Sequence, residues 1–296
     1  MRALTLSQRR AIGQGGFTLV ELVLVIALAG IVATLLGAVL SRPLEGFVAQ
    51  SRRAELVDSG ALALARLRRD IGAAVPGSLR ISADGLALEL LEIHSAGRYL
   101  PNRADGVSLA FAGSPAPECR GPQLGGVPRC DVLQVLDPDF QPPSAGWLVV
   151  GAESGESTAS DGRFLSPWKA SSGAITPTGT GFTRLPDVAG FPGISLIEIV
   201  GDHTFAESSP RRRAYFAERV IGYRCVGLQL LRYEYASLLA TLPDTPPVPA
   251  QLLADQIESC RFEGPNELGV ATLRLGLGAD GESIRLIQQI QVNNAP

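Results

Sequence analysis

The segment GGFTLVELVLVIALAGIVATLLGAVLSRP, Gly15 to Pro43, decides how the rest of the chain is read. Its apolar run, Phe17 to Leu40, is 24 residues long and holds one formal charge, Glu21. A helix of that length measures about 36 Å, enough to cross a bilayer with some tilt. A secretory signal has a core of only about 7–15 apolar residues before its cleavage site, so removal of this longer, acid-bearing run is not expected. A carboxylate inside a membrane-length segment costs free energy and asks for a partner or a purpose. Near a helix N-terminus the macrodipole offsets part of that cost. Ala29, Ala33 and Gly37 fall at spacings of four, a small-residue stripe that permits close helix approach without proving it.

Outward from this rod, the preceding MRALTLSQRRAIGQGG is a short basic leader with Arg2, Arg9 and Arg10. Arg42, Arg52 and Arg53 follow the rod, so charge bias alone does not orient the span. The cysteines do. Cys119, Cys130, Cys225 and Cys260 are even in number, all follow the rod and show no CxxC spacing, a pattern that suits disulfides outside the cytoplasm better than zinc ligands. The N-terminus is then cytoplasmic and the C-terminal part lies outside. Four cysteines allow three pairings. Pairing of neighbours would join Cys119 to Cys130 and Cys225 to Cys260, each contributing about 3–4 kcal/mol by constraining the unfolded chain.

A hydrophobic content of 46%, 19% charged residues and a net charge of −3 place the chain among globular proteins and away from nucleic-acid binders. Beyond the rod more than 200 residues remain, enough to bury a sizeable core. With 33 Gly and 21 Pro, that part should be loop-rich and built on short strands. Pro43 should kink the helix or mark a fresh start. After it, Leu56, Gly60, Ala63, Leu67 and Ile71 recur at spacings of three or four, and Arg66 can pair with Asp70 one turn on. This predicts an amphipathic continuation that packs on a sheet and ends before Pro76. LRISADGLALELLEI predicts a hairpin about Asp84-Gly85. Residues 113–192 read as irregular loops on a sheet. ATLRLGL and SIRLIQQIQV alternate with period two and predict an antiparallel pair. The fold class is α+β, with a leader over 1–16, a membrane helix over 17–42, its amphipathic continuation over 43–75 and a β-rich ectodomain over 76–296.

The supply of catalytic groups is thin. His94 and His203 stand in unrelated surroundings with no second ligand at recognisable spacing. Neither GxSxG nor HExxH occurs. Gly276–Gly281 matches GxGxxG, but a dinucleotide site needs a helix to follow, and ESIRLIQQIQV alternates like a strand. The glycines read as a hairpin turn. Asp137-Pro138-Asp139 lacks the further acids of a calcium loop and reads as a solvated turn. Arg211, Arg212 and Arg213 read as a solvated basic loop. No enzymatic activity, cofactor or metal is expected.

Gly16-Phe17-Thr18-Leu19-Val20-Glu21, behind a short basic leader and ahead of an apolar helix, resembles the processing motif of type IV prepilins and of the pseudopilins of type II secretion. The resemblance implies cleavage after Gly16 by a membrane prepilin peptidase, N-methylation of Phe17 and retention of the helix. Glu21 becomes the fifth residue of the processed chain, where the family carries its glutamate. There it lies one turn from the new Phe17 amine. Either its own N-terminus neutralises it, or a neighbouring subunit's amine pairs with it and sets the axial step between helices. Such a pair contributes register more reliably than stability. YRC at 223–225, LLRYEY at 230–235, Cys260 and QIQVNNAP, with RPLEG at 42–46 and SRRAELVD at 51–58, resemble the large minor pilins of MSHA-type pilus assembly sets. The J-type minor pseudopilins of type II secretion share this plan. The resemblance implies a pilin-like structural or assembly subunit, anchored once in the inner membrane with a periplasmic C-terminal domain and incorporated into a surface pilus. Its partners would be the prepilin peptidase and other pilins or pseudopilins, met through the N-terminal helix. An adhesin-like tip subunit using the loops of 113–192 is the reading from a different class.

Overall fold

A computed structural model of the chain describes Gly16 and residues 18–111, 118–152, 165–187, 190–264 and 270–291. The chain divides into two compact units, Met1–Arg52 and Arg53–Pro296. One helix, Leu19–Gly72, contributes to both. Within the first unit it passes Pro43 without interruption, which corrects the expectation of a fresh start there. Proline removes one i→i−4 hydrogen bond, and the intact turns on either side hold the helix across that gap.

In the second unit the helix shows the face its spacing predicts: Leu56, Gly60, Ala63, Leu67 and Ile71 are buried. Gly60 is a point of close approach, because a Cβ there would lie 2.4 Å from a Leu286 methyl. The helix packs in one core with strand residues Leu88, Leu90, Ile221 and Tyr223 on one side and Leu273, Leu275, Leu277 and Ile284 on the other. These belong to two sheets. The first is built on two fourteen-residue strands, Ala87–Leu100 and Arg213–Val226, paired antiparallel and extended by Gln229–Tyr235 and Gln251–Ala254. The second is the antiparallel triplet Ile257–Glu263, Val270–Ala279 and Glu282–Gln291. The expected C-terminal pair is therefore present, as is the hairpin about Asp84-Gly85, where Arg80–Ile81 pairs with Leu88 and Glu89.

Residues 113–192 differ from their reading as irregular loops. Among the described residues, Val132–Val135, Ala145–Val149 and Thr180–Arg184 join Ser195–Val200 and the two long strands in a closed antiparallel circuit. The path runs from Ala87–Leu100 through Val132–Val135, Ser195–Val200, Thr180–Arg184 and Ala145–Val149 to Arg213–Val226, which pairs again with Ala87–Leu100. This is a six-stranded barrel, and Leu133, Val135, Leu148, Phe182, Ile197 and Phe216 fill its interior. Phe216 meets Phe182 edge-on at 5.1 Å between centroids and Phe140 at 5.2 Å, geometries favoured by the ring quadrupole. Full closure leaves none of the six strands with an open edge along the ring.

The two long strands serve both structures. The ladder breaks register between Phe216 and Val220, with an extra residue on one strand and then on the other. Such bulges bend and twist a strand. Ser95–Arg98 and Arg213–Phe216 are thereby handed to the barrel, while Leu88–Leu91 and Val220–Tyr223 stay under the helix.

Candidate functional site

The N-terminal segment is built from its cap. Thr18 precedes the helix, and its hydroxyl accepts a hydrogen bond from the Glu21 backbone N–H at 3.3 Å. Thr18-Leu19-Val20-Glu21 thus has the form of a capping box, with Glu21 in the first turn at the positive end of the macrodipole. The stretch Leu19–Gly37 has a mean hydropathy of 2.7 and none of it is buried. It is long and apolar enough to cross a membrane. Leu19, Leu22, Ile26 and Leu35 are each at least 60% exposed, an arrangement that water penalises and lipid or other helices do not. A Cβ at Gly37 would meet nothing within 4 Å, so the small-residue stripe is open. Gly16 is exposed. Phe17 and residues 1–15 of the leader lie outside the described residues.

The cysteines pair as neighbours. Cys119 is bonded to Cys130 and Cys225 to Cys260. The first staples a loop that Asn102 also holds, accepting from the Arg120 N–H through its backbone and donating to the Cys130 carbonyl through its side chain. The second joins a long strand of the first sheet to the triplet, linking the two sheets that carry the helix.

Two buried carboxylates organise the residues of YRC and LLRYEY. Asp70 sits in the last helical turn, the end where the macrodipole disfavours an acid. It accepts from the Tyr223 hydroxyl at 2.6 Å and Arg232 Nε at 2.8 Å, and Arg66 approaches at 3.2 Å. Glu89 is fully buried and accepts from Arg80, Tyr233 and Tyr235. The Arg80 guanidinium in turn stacks 3.6 Å over the Trp168 ring. Burial, together with the adjacent carboxylates, pushes the Tyr223, Tyr233 and Tyr235 hydroxyls well above the usual tyrosine range. They therefore remain proton donors to Asp70 and Glu89.

The other candidates are dispersed. His94 Nδ1 lies 3.5 Å from Glu218 at the bulge. His203 belongs to a two-residue strand paired with Phe111, stacks edge-on against Phe205, and burial holds its imidazole below the usual histidine range. Its Nε2 is buried without a hydrogen-bond partner. Among the described residues no group of three or more His, Cys, Asp or Glu has metal-site geometry. Asp280 and Gly281 form the two-residue turn between the last two strands, and Asp137 caps the Asp139 N–H in the Pro138 turn.

The sequence reading missed the Thr18 cap, which the pattern T-x-x-E signals, and the depth of Asp70 and Glu89, which no local pattern signals. No family model matches the chain, and no curated protein or solved structure matches it. The family resemblance rests on the motif residues themselves.

Proposed function

We propose that the chain is a minor pilin, a structural or assembly subunit of a type IV pilus of the MSHA type. It is stored in the inner membrane on its N-terminal helix with the β-rich ectodomain outside the cytoplasm, and it carries no catalytic activity. One observation supports this above the others: the wholly exposed apolar stretch Leu19–Gly37 holds a single acid, Glu21, in the first turn of the helix, four residues after an aromatic residue that itself follows a glycine. A helix whose apolar surface is unpartnered can leave lipid by exchanging it for contact with other such helices. Glu21 then receives the Phe17 ammonium of an adjoining subunit and fixes the axial step. Two disulfides in the ectodomain fit an oxidising compartment.

The reading is tested by intact-mass and N-terminal peptide measurement on membrane-extracted protein, which should begin with N-methylated Phe17. A chain beginning at Met1, or after Gly37, overturns it. Glu21→Val should be processed normally yet incorporate poorly into filaments. Deletion separates the pilus from the J-type pseudopilin of type II secretion. Loss of surface pili with normal enzyme export supports the first, and normal piliation with enzyme retained in the periplasm supports the second.

A further inference from the structure

The barrel carries a feature that its own architecture does not explain. Arg98 and Arg213 are direct cross-strand partners. Their flanking residues Tyr99 and Ala214 belong to the barrel core, so by strand alternation both arginines stand on its outer surface. Side chains so placed have Cβ atoms about 4.5–5.5 Å apart, and like charges there oppose folding. The turn that delivers Arg213 adds Arg211 and Arg212, both exposed. Arg212 takes a left-handed φ of 52°, and its carbonyl accepts from the Tyr99 N–H at 2.8 Å, which ties the turn beside Arg98. Among the described residues, none of these four arginines forms a salt bridge.

Elsewhere the same barrel and its bulge pair their cations. Arg129 bridges Asp131 and Glu198, Arg184 meets Asp187, and Arg219 meets Glu92 and Glu218. Four arginines that the backbone brings together, on a chain of net charge −3, stand apart from these paired cations. Arginine forks match planar carboxylates and sulfates in a bidentate manner.

We propose that this outer face of the barrel binds an anionic polysaccharide, with Arg98 and Arg213 gripping its carboxylate or sulfate groups and Arg211 and Arg212 extending the contact. The footprint is small for a nucleic acid, whose binding draws on many phosphate contacts along a basic surface. The binding does not depend on membership of a filament.

The full-length protein in detergent micelles is to be assayed on immobilised polygalacturonate and heparin, with neutral dextran as reference. Binding to either acidic polymer, absent on dextran and weakened by salt, is the expected result. The double variant R98E/R213E should weaken it at least about tenfold, as should R211E/R212E, which changes only the exposed turn. R285E, the same charge change on the exposed last strand, should leave it intact. Four results overturn the proposal: no retention above dextran, affinity unchanged in both double variants, an equal loss in R285E, or tighter binding of the wild type to single-stranded DNA or anionic vesicles than to either polymer. Heparin against polygalacturonate identifies which anionic group is preferred.

Discussion

The helix-bearing sheets and the barrel share two strands but bury their residues by different means. Around the helix-bearing sheet, charge goes inside on both faces: Asp70, on the helix side, is 3% exposed and held by Arg232 and the Tyr223 hydroxyl, and Glu89, on the opposite side, is fully buried and held by Arg80 and the Tyr233 and Tyr235 hydroxyls. In the barrel the interior is aromatic and aliphatic, and the Arg129, Asp131 and Glu198 cluster stays at the rim with side chains 22–36% exposed. Directional bonds to Asp70 tie the helix to its sheet and those to Glu89 tie down the sheet's other face, whereas a closed circuit of backbone hydrogen bonds and ring packing fixes the barrel. The largest test of this difference removes one carboxylate from each region. Asp70→Ala takes the acceptor from the buried Arg232 Nε and the Tyr223 hydroxyl, leaving Arg232, among the described residues, only the exposed Glu234 at 3.3 Å, and should cost about 3 kcal/mol in chemical unfolding. Asp131→Ala should cost about 1 kcal/mol or less, because water replaces the lost partner. Equal losses would erase the distinction.

The disulfides sharpen the comparison at the next level. Cys225–Cys260 closes a separation of 35 residues across the two sheets, and Cys119–Cys130 one of 11 in a loop beside the barrel. Loop-closure entropy gives about 4 kcal/mol for the first and about 3 kcal/mol for the second. C225S/C260S should therefore lower the unfolding midpoint more than C119S/C130S. The reverse order would mean that the barrel depends on its staple more than the helix depends on the link between its sheets.

The same contrast explains what could be read in advance. Leu56, Ala63, Leu67 and Ile71 repeat over about four turns, and the last two strands alternate over ten residues each, so the helix and the final pair of the triplet were legible, whereas Ile257–Glu263 was not. The barrel was not. Its strands Val132–Val135, Ala145–Val149 and Thr180–Arg184 run only four or five residues between Gly- and Pro-rich turns, too short for period two to stand out. Closure also depends on a bulge in the long strands, and a register shift has no signature in one sequence. Arg66 and Asp70 were visible as a helical pair, but the partners that make Asp70 consequential, Tyr223 and Arg232, lie more than 150 residues away. The N-terminal motif could be picked out of the sequence because its residues are consecutive.

Alkaline pH should separate the regions again, by a smaller margin. Tyr223, Tyr233 and Tyr235 have folded-state pKa values raised above the unfolded value by burial and by Asp70 or Glu89. Their contribution is complete below the unfolded value near ~10 and is lost as pH rises through the folded values. In the barrel, Tyr99 is likewise raised, by burial alone. Tyrosinate absorbance should then lag free tyrosine on titration and appear together with unfolding. Residue-resolved amide exchange should show protection failing first around Tyr223 and Tyr233. Early loss around Tyr99 instead would place the alkaline weakness in the barrel.

The smallest effect is expected at the motif that most resembled a cofactor site. Gly276–Gly281 matches GxGxxG, yet Gly278 faces Ser283 and Ala279 faces Glu282 across a ladder, and the chain turns through Asp280 and Gly281. Their φ values of 51° and 87° are positive at both positions, the requirement of a two-residue hairpin loop of the I′ kind. Nothing lies within 4 Å of a Cβ added at Gly281, so Gly281→Ala meets only the backbone penalty of a left-handed conformation, about 1 kcal/mol. Gly281→Asn should cost less, since asparagine tolerates that region. Urea unfolding should show a shifted midpoint at an unchanged slope for both variants. A loss of several kcal/mol, or an altered slope, would mean that this loop supports packing beyond its own turn. The edge of the triplet would then be as sensitive to position as the closed barrel.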